Sequence, residues 1–154
     1  MNVNKYGNPL AIEEYRYNLV NNKLVKKLTQ YNNVCIACVP SHNPKSKEQS
    51  IYELANMLCD DMNFINASKC CKRVKLIKKL SKGGARDKQV HLDSIEIIDR
   101  NLIHNKTILL IDDITTTGNS MYACHQLLKE SGARYVYKVA LAHAPKLMEE
   151  VSNE

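Results

Sequence analysis

Two adjacent carboxylates and a run of hydroxyl side chains lie together in the segment ILLIDDITTTGNSM, residues 108–121. Asp112 and Asp113 follow the apolar part of this segment, and the hydroxyl groups and Gly118 come after them. Hydroxyls and free backbone N–H groups that lead into a helix favour a phosphate, because the amino end of a helix is partially positive. Gly118 would let the backbone approach that phosphate without a Cβ in the way. Carboxylates would repel the phosphate, so the segment predicts a ligand that also carries sugar hydroxyls, a phosphorylated ribose with Mg²⁺ nearby.

The elements that must position these residues follow from the pattern of apolar side chains. Apolar runs predict buried strands at 34–39, 108–111 and 135–144, and shorter strands near 64–67, 70–77 and 94–98. Amphipathic spacing predicts helices at 10–30, about 46–62 and 120–131. Strands that alternate with helices favour an α/β fold with a parallel sheet, in which ligands bind beyond the carboxyl ends of the strands. The acid pair lies at such an end.

Length and composition favour one globular domain over residues 1–154, since 44% of the chain is apolar and 25% is charged. Within it we expect a helical segment at 1–32, a core at 33–145 and a flexible loop at 78–92, where paired glycines lie among charges. No segment resembles a signal peptide or a membrane span. We therefore expect a cytoplasmic protein with reduced cysteines and no membrane partner.

The positive charge of the chain is concentrated in one stretch. The net charge is +6, but residues 69–88 alone carry +8 and the rest carries −2. Such a stretch favours an anionic partner, which could be a pyrophosphate or the backbone of a nucleic acid. A solvated surface would give the same pattern.

The segment at 108–121 closely resembles the 5-phosphoribosyl-1-pyrophosphate (PRPP) motif of type I phosphoribosyltransferases. Three other segments resemble the competence protein F (ComF) branch of that family: IACVPSHNP, KRVK and CHQLLKESGARYVYKVALAHA. The resemblance covers residues 33–145 and implies a type I phosphoribosyltransferase fold, a central, mainly parallel sheet flanked by helices with a flexible loop over the active site. ComF-type proteins often carry an N-terminal zinc module, which residues 1–32 lack because they contain no cysteine.

The resemblance also implies roles for individual residues. Asp112 and Asp113 would hold the ribose hydroxyls, and Mg²⁺ would be held mainly by PRPP, without dedicated metal ligands on the protein. Arg73 would be the fixed pyrophosphate contact, and Lys79 or Arg86 would reach the leaving group from the flexible loop; with the acid pair, Arg73 and Arg86 are the expected catalytic residues. The 5-phosphate would be bound by Thr115, Thr116, Thr117, Gly118, Asn119 and Ser120. The loop that approaches the pyrophosphate would contribute Ser41, His42 and Lys45.

The function implied is transfer of the 5-phosphoribosyl group from PRPP to a nitrogen nucleophile, with a nucleobase as the expected acceptor and pyrophosphate as the leaving group. The tail after Pro145, KLMEEVSNE, offers little for an acceptor site, so the N-terminal segment would have to contribute. The alternative is a regulator that binds PRPP or a nucleotide without turnover, or a ComF-like accessory protein associated with nucleic acid. A homodimer that packs through the N-terminal helix is also open.

Three further patterns have a second interpretation. An acid pair after an apolar strand also occurs in receiver domains, but there most of the domain follows the pair, whereas 41 residues follow Asp113 here. Cys35, Cys38 and the pair at 70–71 could bind zinc, yet Cys35 and Cys38 fall within an apolar strand, which favours core thiols. Among the histidines, His42 follows the first strand and could contact the pyrophosphate, and His91, at the end of the flexible loop, is the other candidate for a functional role.

Overall fold

A computed structural model of the chain describes residues 9–44, 49–77, 88–113, 118–141 and 148–151. The helices are α1 (Pro9–Val20), α2 (Lys23–Leu28), α3 (Gln49–Met62), α4 (Lys88–Ser94), α5 (Arg100–Ile103) and α6 (Asn119–Glu130). The strands are β1 (Val34–Cys38), β2 (Ile65–Asn66), β3 (Cys71–Arg73), β4 (Ile95–Ile97), β5 (Thr107–Asp112), β6 (Tyr135–Ala140) and β7 (Met148–Val151). None of the helices in this described part is long and apolar enough to cross a membrane.

The central sheet has the strand order β2-β1-β5-β6-β7. Strands β2, β1, β5 and β6 are parallel to one another, and β7 pairs antiparallel with β6 at the edge. Strands β3 and β4 form a separate antiparallel pair. The predicted α/β class, with a central parallel sheet flanked by helices, is confirmed.

Both faces of the sheet are covered by buried apolar side chains. Along β1 the residues alternate between the two cores: Ile36 and Cys38 pack with α1, α2 and α3 on one face, and Cys35 and Ala37 pack with α5 and α6 on the other. This alternation explains why the strands at the centre of the sheet are apolar throughout. All six cysteines are free and buried, and no cluster of three or more potential ligands among the described residues could hold a metal ion. The structure therefore agrees with the core-thiol interpretation.

The helix predicted over residues 10–30 is divided into α1 and α2. Asn22 lies between them, and its side-chain oxygen accepts hydrogen bonds from the backbone N–H groups of Leu24 (2.9 Å) and Val25 (3.2 Å). An asparagine side chain that satisfies the first N–H groups of a helix is a stable start for that helix. The chain can therefore turn here while both helices keep their apolar faces on the sheet.

An ion pair joins α1 to α3. Arg16 on α1 donates two hydrogen bonds of 2.7 Å to Asp61 on α3, and these bonds hold the pKa of the Asp61 carboxyl below its ordinary value.

Four other elements differ from the sequence prediction, and one of them is the short helix α5, where no element was predicted. The strand expected at 70–77 is limited to the three residues of β3, because β3 pairs with the three-residue β4 outside the central sheet. Residues 88–92 of the predicted flexible loop lie in α4, and residues 78–87 lie outside the described part of the chain. Strand β7 falls in the tail for which no element was predicted, and it extends the sheet through the pairs from Tyr137–Val151 to Ala140–Met148.

Candidate functional site

The carboxyl ends of β1 and β5 bring two predicted site segments to the same edge of the sheet. The two strands are parallel and in register, with Cys38 opposite Ile111, and the backbone N–H of Val39 donates to the Ile111 carbonyl (2.9 Å). The segment that begins at Pro40 therefore leaves the sheet beside the acid pair. This is the position at which open parallel sheets bind their ligands.

Asp112 is held by the backbone around it. It is the last residue of β5 and only 9% exposed, and its Oδ1 accepts a hydrogen bond from the backbone N–H of Asp113 (2.8 Å). Its own carbonyl accepts a hydrogen bond from the N–H of Leu141, just beyond β6 (2.9 Å). One carboxylate oxygen is thus fixed by the protein, and Asp113 lies half-buried next to it. Two acids in this arrangement can accept hydrogen bonds from a ligand with adjacent hydroxyls.

The amino end of α6 lies one short segment further along the chain. Gly118 has φ of +78°, in the left-handed region that glycine adopts without strain, and its carbonyl accepts the first hydrogen bond of the helix, from Tyr122 (2.8 Å). Asn119, the first residue of the helix, is buried. A helix of this length offers backbone N–H groups and a positive end to an anion. Thr115, Thr116 and Thr117 lie outside the described residues.

Arg73 on β3 is the side chain on which the site segments converge. It is 3% exposed, and its guanidinium donates three hydrogen bonds: from Nε to the Ser41 carbonyl (2.9 Å), from Nη1 to the Ser94 hydroxyl (2.5 Å) and from Nη2 to the Ser120 hydroxyl (3.2 Å). Burial lowers the pKa of this guanidinium, whereas the negative charge of Asp112 raises it. The cation therefore joins the segment after β1 to α4 and α6, and it lies close enough to interact with the charge of Asp112.

Two histidines lie against this cation's partners. His91 on α4 is 2% exposed, and its Nδ1 lies 2.9 Å from the Ser120 hydroxyl oxygen. The ring of His42 meets the ring of His91 edge to face, with 5.9 Å between the ring centroids. Ser41, Arg73 and Ser120, which the family resemblance picked out in three separate segments, are thus brought together. Lys45 and Arg86 lie outside the described part of the chain.

Comparison with known proteins identifies the family. The family model of the phosphoribosyl transferase domain matches residues 17–153, almost the whole of the 154-residue chain. The chain belongs to the phosphoribosyl transferase domain family. A search of curated proteins gave no significant match. The resemblance of residues 108–121 to the family's motif is therefore supported by a match over the full domain.

Two solved structures align with this chain at low sequence identity. The allosteric regulatory enzyme of purine biosynthesis aligns with a TM-score of 0.50 and 17% identity, over 83% of this chain and 25% of that one. Glutamine PRPP amidotransferase from B. subtilis, complexed with ADP and GMP, aligns with a TM-score of 0.49 and 18% identity, over 85% of this chain and 27% of that one. This chain therefore spans about a quarter of the length of the allosteric regulatory enzyme. The predicted type I phosphoribosyltransferase fold is confirmed.

In this phosphoribosyl transferase domain two cavities adjoin each other, and Arg73 lines the smaller one. The smaller has a volume of about 280 Å³ and reaches Ser41 and Arg73; the larger, of about 660 Å³, lies beyond the edge strand β2. They share Tyr52, Lys69 and Ile98. Neither residue of the acid pair lines the larger cavity, so volume alone does not select the candidate site.

Two side chains that contact Arg73 or Ser120 were not assigned roles from the sequence. Ser94 was not singled out, because it falls at the start of the strand predicted at 94–98, and His91 was given no specific role, because it falls at the end of the loop predicted at 78–92. On α4 they are three residues apart, and the Ser94 hydroxyl donates back to the His91 carbonyl (3.1 Å). Their partners Arg73 and Ser120 are 21 and 29 residues distant along the chain. No local pattern in the sequence indicates pairs so far apart.

Proposed function

We propose that this protein binds PRPP with Mg²⁺ and transfers the 5-phosphoribosyl group to a nitrogen nucleophile, with release of pyrophosphate. The observation that carries the proposal is Asp112, fixed at the end of β5 and one segment away from the amino end of α6, within a phosphoribosyl transferase domain. Asp112 and Asp113 hold the ribose hydroxyls. Residues 115–120 bind the 5-phosphate through hydroxyls and backbone N–H groups.

Pyrophosphate binds at the segment that follows β1. Ser41, His42 and Lys45 approach it, and the positive charges of Arg73 and Arg86 stabilise it as it gains charge. The Ser41 carbonyl already accepts from Arg73, so this cation fixes the backbone of the pyrophosphate segment whether or not it also contacts the ligand. Direct contact of Arg73 with pyrophosphate is part of the proposal.

The carboxylate pair fits Mg²⁺ bound through the substrate. Mg²⁺ takes oxygen ligands and keeps several of them from phosphates and water. Asp112 and Asp113 hold the ribose hydroxyls, and PRPP supplies most of the oxygens that would hold the ion. The ion, when bound, neutralises charge on the pyrophosphate.

The chemical step is displacement of pyrophosphate from C1 of the ribose through an oxocarbenium-like state. The protein contributes by positioning the ribose against the nucleophile and by stabilising the charge on the leaving group, without a covalent intermediate. The fixed carboxylate of Asp112 supports the positioning role, since a group held by its own backbone loses little freedom when the ligand binds. We propose that the acceptor is a nucleobase, and that the protein is a cytoplasmic member of the ComF-like branch.

Calorimetry with PRPP and Mg²⁺ tests the donor site. We expect the wild type to bind, and Asp112→Asn combined with Asp113→Asn to weaken binding roughly 100-fold, because two charge-assisted hydrogen bonds are lost. Asp60→Asn combined with Glu14→Gln, which neutralises two exposed acids on α3 and α1, is the charge-matched control and should bind as the wild type does. Absence of PRPP binding by the wild type, or equal binding by the double variant, would show that the site assignment is wrong.

A screen of nucleobases for pyrophosphate release separates an enzyme from a non-catalytic sensor. Release of pyrophosphate with one class of base identifies the acceptor, whereas PRPP binding without release for any base favours the regulator.

The nucleic-acid alternative rests on the basic stretch, of which Lys69, Lys72, Lys75 and Lys88 are exposed and Arg73 is buried. Salt-sensitive binding to DNA or RNA that is lost when the exposed lysines are neutralised would favour that alternative.

A further inference from the structure

His91 is a buried polar side chain without an assigned role at the amino end of α6. It is 2% exposed and lies on α4, and its Nδ1 is 2.9 Å from the hydroxyl oxygen of Ser120. Burial of an imidazole is costly unless its polar atoms are hydrogen-bonded. Its neighbour Ser120 belongs to the segment proposed to bind the 5-phosphate. The contact thus joins α4 to the anion-binding end of α6.

The hydrogen-bonding capacity of Ser120 limits what this contact can do. A hydroxyl can accept two hydrogen bonds but donate only one, and an arginine can only donate. The Nη2 of Arg73 donates to the Ser120 oxygen (3.2 Å), so one acceptor position is taken. If His91 accepted from Ser120, the only hydroxyl proton would point away from a ligand. If His91 donates, Ser120 accepts twice and its proton is left for an anion.

We propose that His91 donates its Nδ1 proton to Ser120 and acts as a positioning residue, which with Arg73 directs the Ser120 hydroxyl toward a phosphate oxygen of the ligand. This inference rests on the proposed function, in which residues 115–120 bind the 5-phosphate. His91 itself does not touch the ligand.

The surroundings of His91 hold it in place for this role. The Ser94 hydroxyl accepts from Nη1 of Arg73 and donates to the His91 carbonyl (3.1 Å), which fixes α4 to the same cation. The ring of His42 packs edge to face against the His91 ring. Arg73 therefore fixes both the backbone of His91, through Ser94, and the hydroxyl that His91 orients.

Calorimetry with PRPP and with ribose 5-phosphate tests the inference on the full chain. We expect His91→Leu to weaken both ligands about five- to tenfold, the effect of one lost hydrogen bond to an anion. His91→Asn keeps a donor near the Nδ1 position and should bind within about twofold of the wild type. His91→Gln places its amide near the Nε2 position and should behave like the leucine variant. His104→Leu, an exposed histidine near the amino end of β5, is the control and should not change the affinity.

A double-mutant cycle separates positioning from general loosening of the fold. Because His91 acts through Ser120, His91→Leu should have no further effect on affinity in a Ser120→Ala background. Three results would overturn the inference. They are an additional loss of affinity from His91→Leu in the Ser120→Ala background, equal affinities of the asparagine and glutamine variants, and an unchanged affinity of a folded leucine variant. In each of those cases the wild type still binds, so the proposed function stands. If the wild type binds neither ligand, both are wrong. Should the leucine variant not fold, the comparison of asparagine with glutamine decides.

Discussion

Arg73 shows how one buried cation organises the candidate site. An arginine has five N–H donors in a rigid plane, and here three of its hydrogen bonds reach three separate segments. Two of its acceptors are serine hydroxyls and one is a backbone carbonyl, so no carboxylate is bonded to it directly in these contacts. The site therefore contains a cation that is held in a fixed position by neutral groups, with Asp112 as a nearby negative charge.

Replacement of this residue tests whether its geometry or only its charge matters. We expect Arg73→Lys to lower the free energy of unfolding by about 1–3 kcal/mol, because a compact ammonium cannot reach all three acceptors and leaves buried groups unsatisfied. Urea unfolding measures the change. Lys75→Met, an exposed residue two positions further on, should stay within about 0.5 kcal/mol of the wild type. A lysine variant as stable as the wild type would indicate that charge alone is sufficient.

At the scale of single elements, the ends of α6 are both formed by glycines in the left-handed region. Gly118, before the helix, has φ of +78° and open space where a Cβ would project. Gly132, after it, has φ of +98°, and a Cβ there would overlap the imidazole of His104. The N–H of Asn105 donates to the Gly132 carbonyl (2.7 Å), so the end of α6 is tied to the segment that precedes β5. The two glycines thus differ in surroundings and share the same backbone requirement.

Alanine at each position should separate backbone strain from steric overlap. Gly118→Ala adds only the strain of a left-handed alanine and should lower the free energy of unfolding by about 1 kcal/mol. Gly132→Ala adds the overlap and should cost at least about 2 kcal/mol. Removal of the imidazole by His104→Ala in the Gly132→Ala background should bring the second value down toward the first. Equal losses for both glycine variants, measured by urea unfolding, would mean that His104 moves away freely.

Across the whole molecule, the sequence predicted what depends on local pattern. The central strands are recognisable from their apolar runs, and the acid pair from its place after one of them. Strand β7 was not predicted because its pairing partner, β6, lies outside its own short segment. Helix α4 was missed because charges and glycines dominate the stretch before it, although its buried His91 and Ser94 contact distant partners. In both cases tertiary pairing decides the structure.

The buried thiols make a prediction about the stability of the whole molecule at alkaline pH. Burial raises the pKa of Cys35 from 9.0 to about 11, and that of Cys38 also rises on burial. The folded state therefore keeps Cys35 as a neutral thiol while the unfolded chain ionises near pH 9, so stability is fully present below that pH and is lost as pH rises toward 11. The free energy of unfolding should fall through this window, with a slope for each thiol of at most about 1.4 kcal/mol per pH unit.

Urea unfolding can be followed for the wild type and for Cys35→Ala, under reducing conditions, from pH 7 to the onset of alkaline denaturation. The comparison isolates the contribution of Cys35, because the other groups titrate alike in both proteins. The alanine variant loses packing at every pH, but the difference in free energy of unfolding between the two proteins should narrow above pH 9. Parallel curves would mean that Cys35 ionises in the folded state as readily as in the unfolded chain, which a residue in the centre of β1 with no exposed surface should not do.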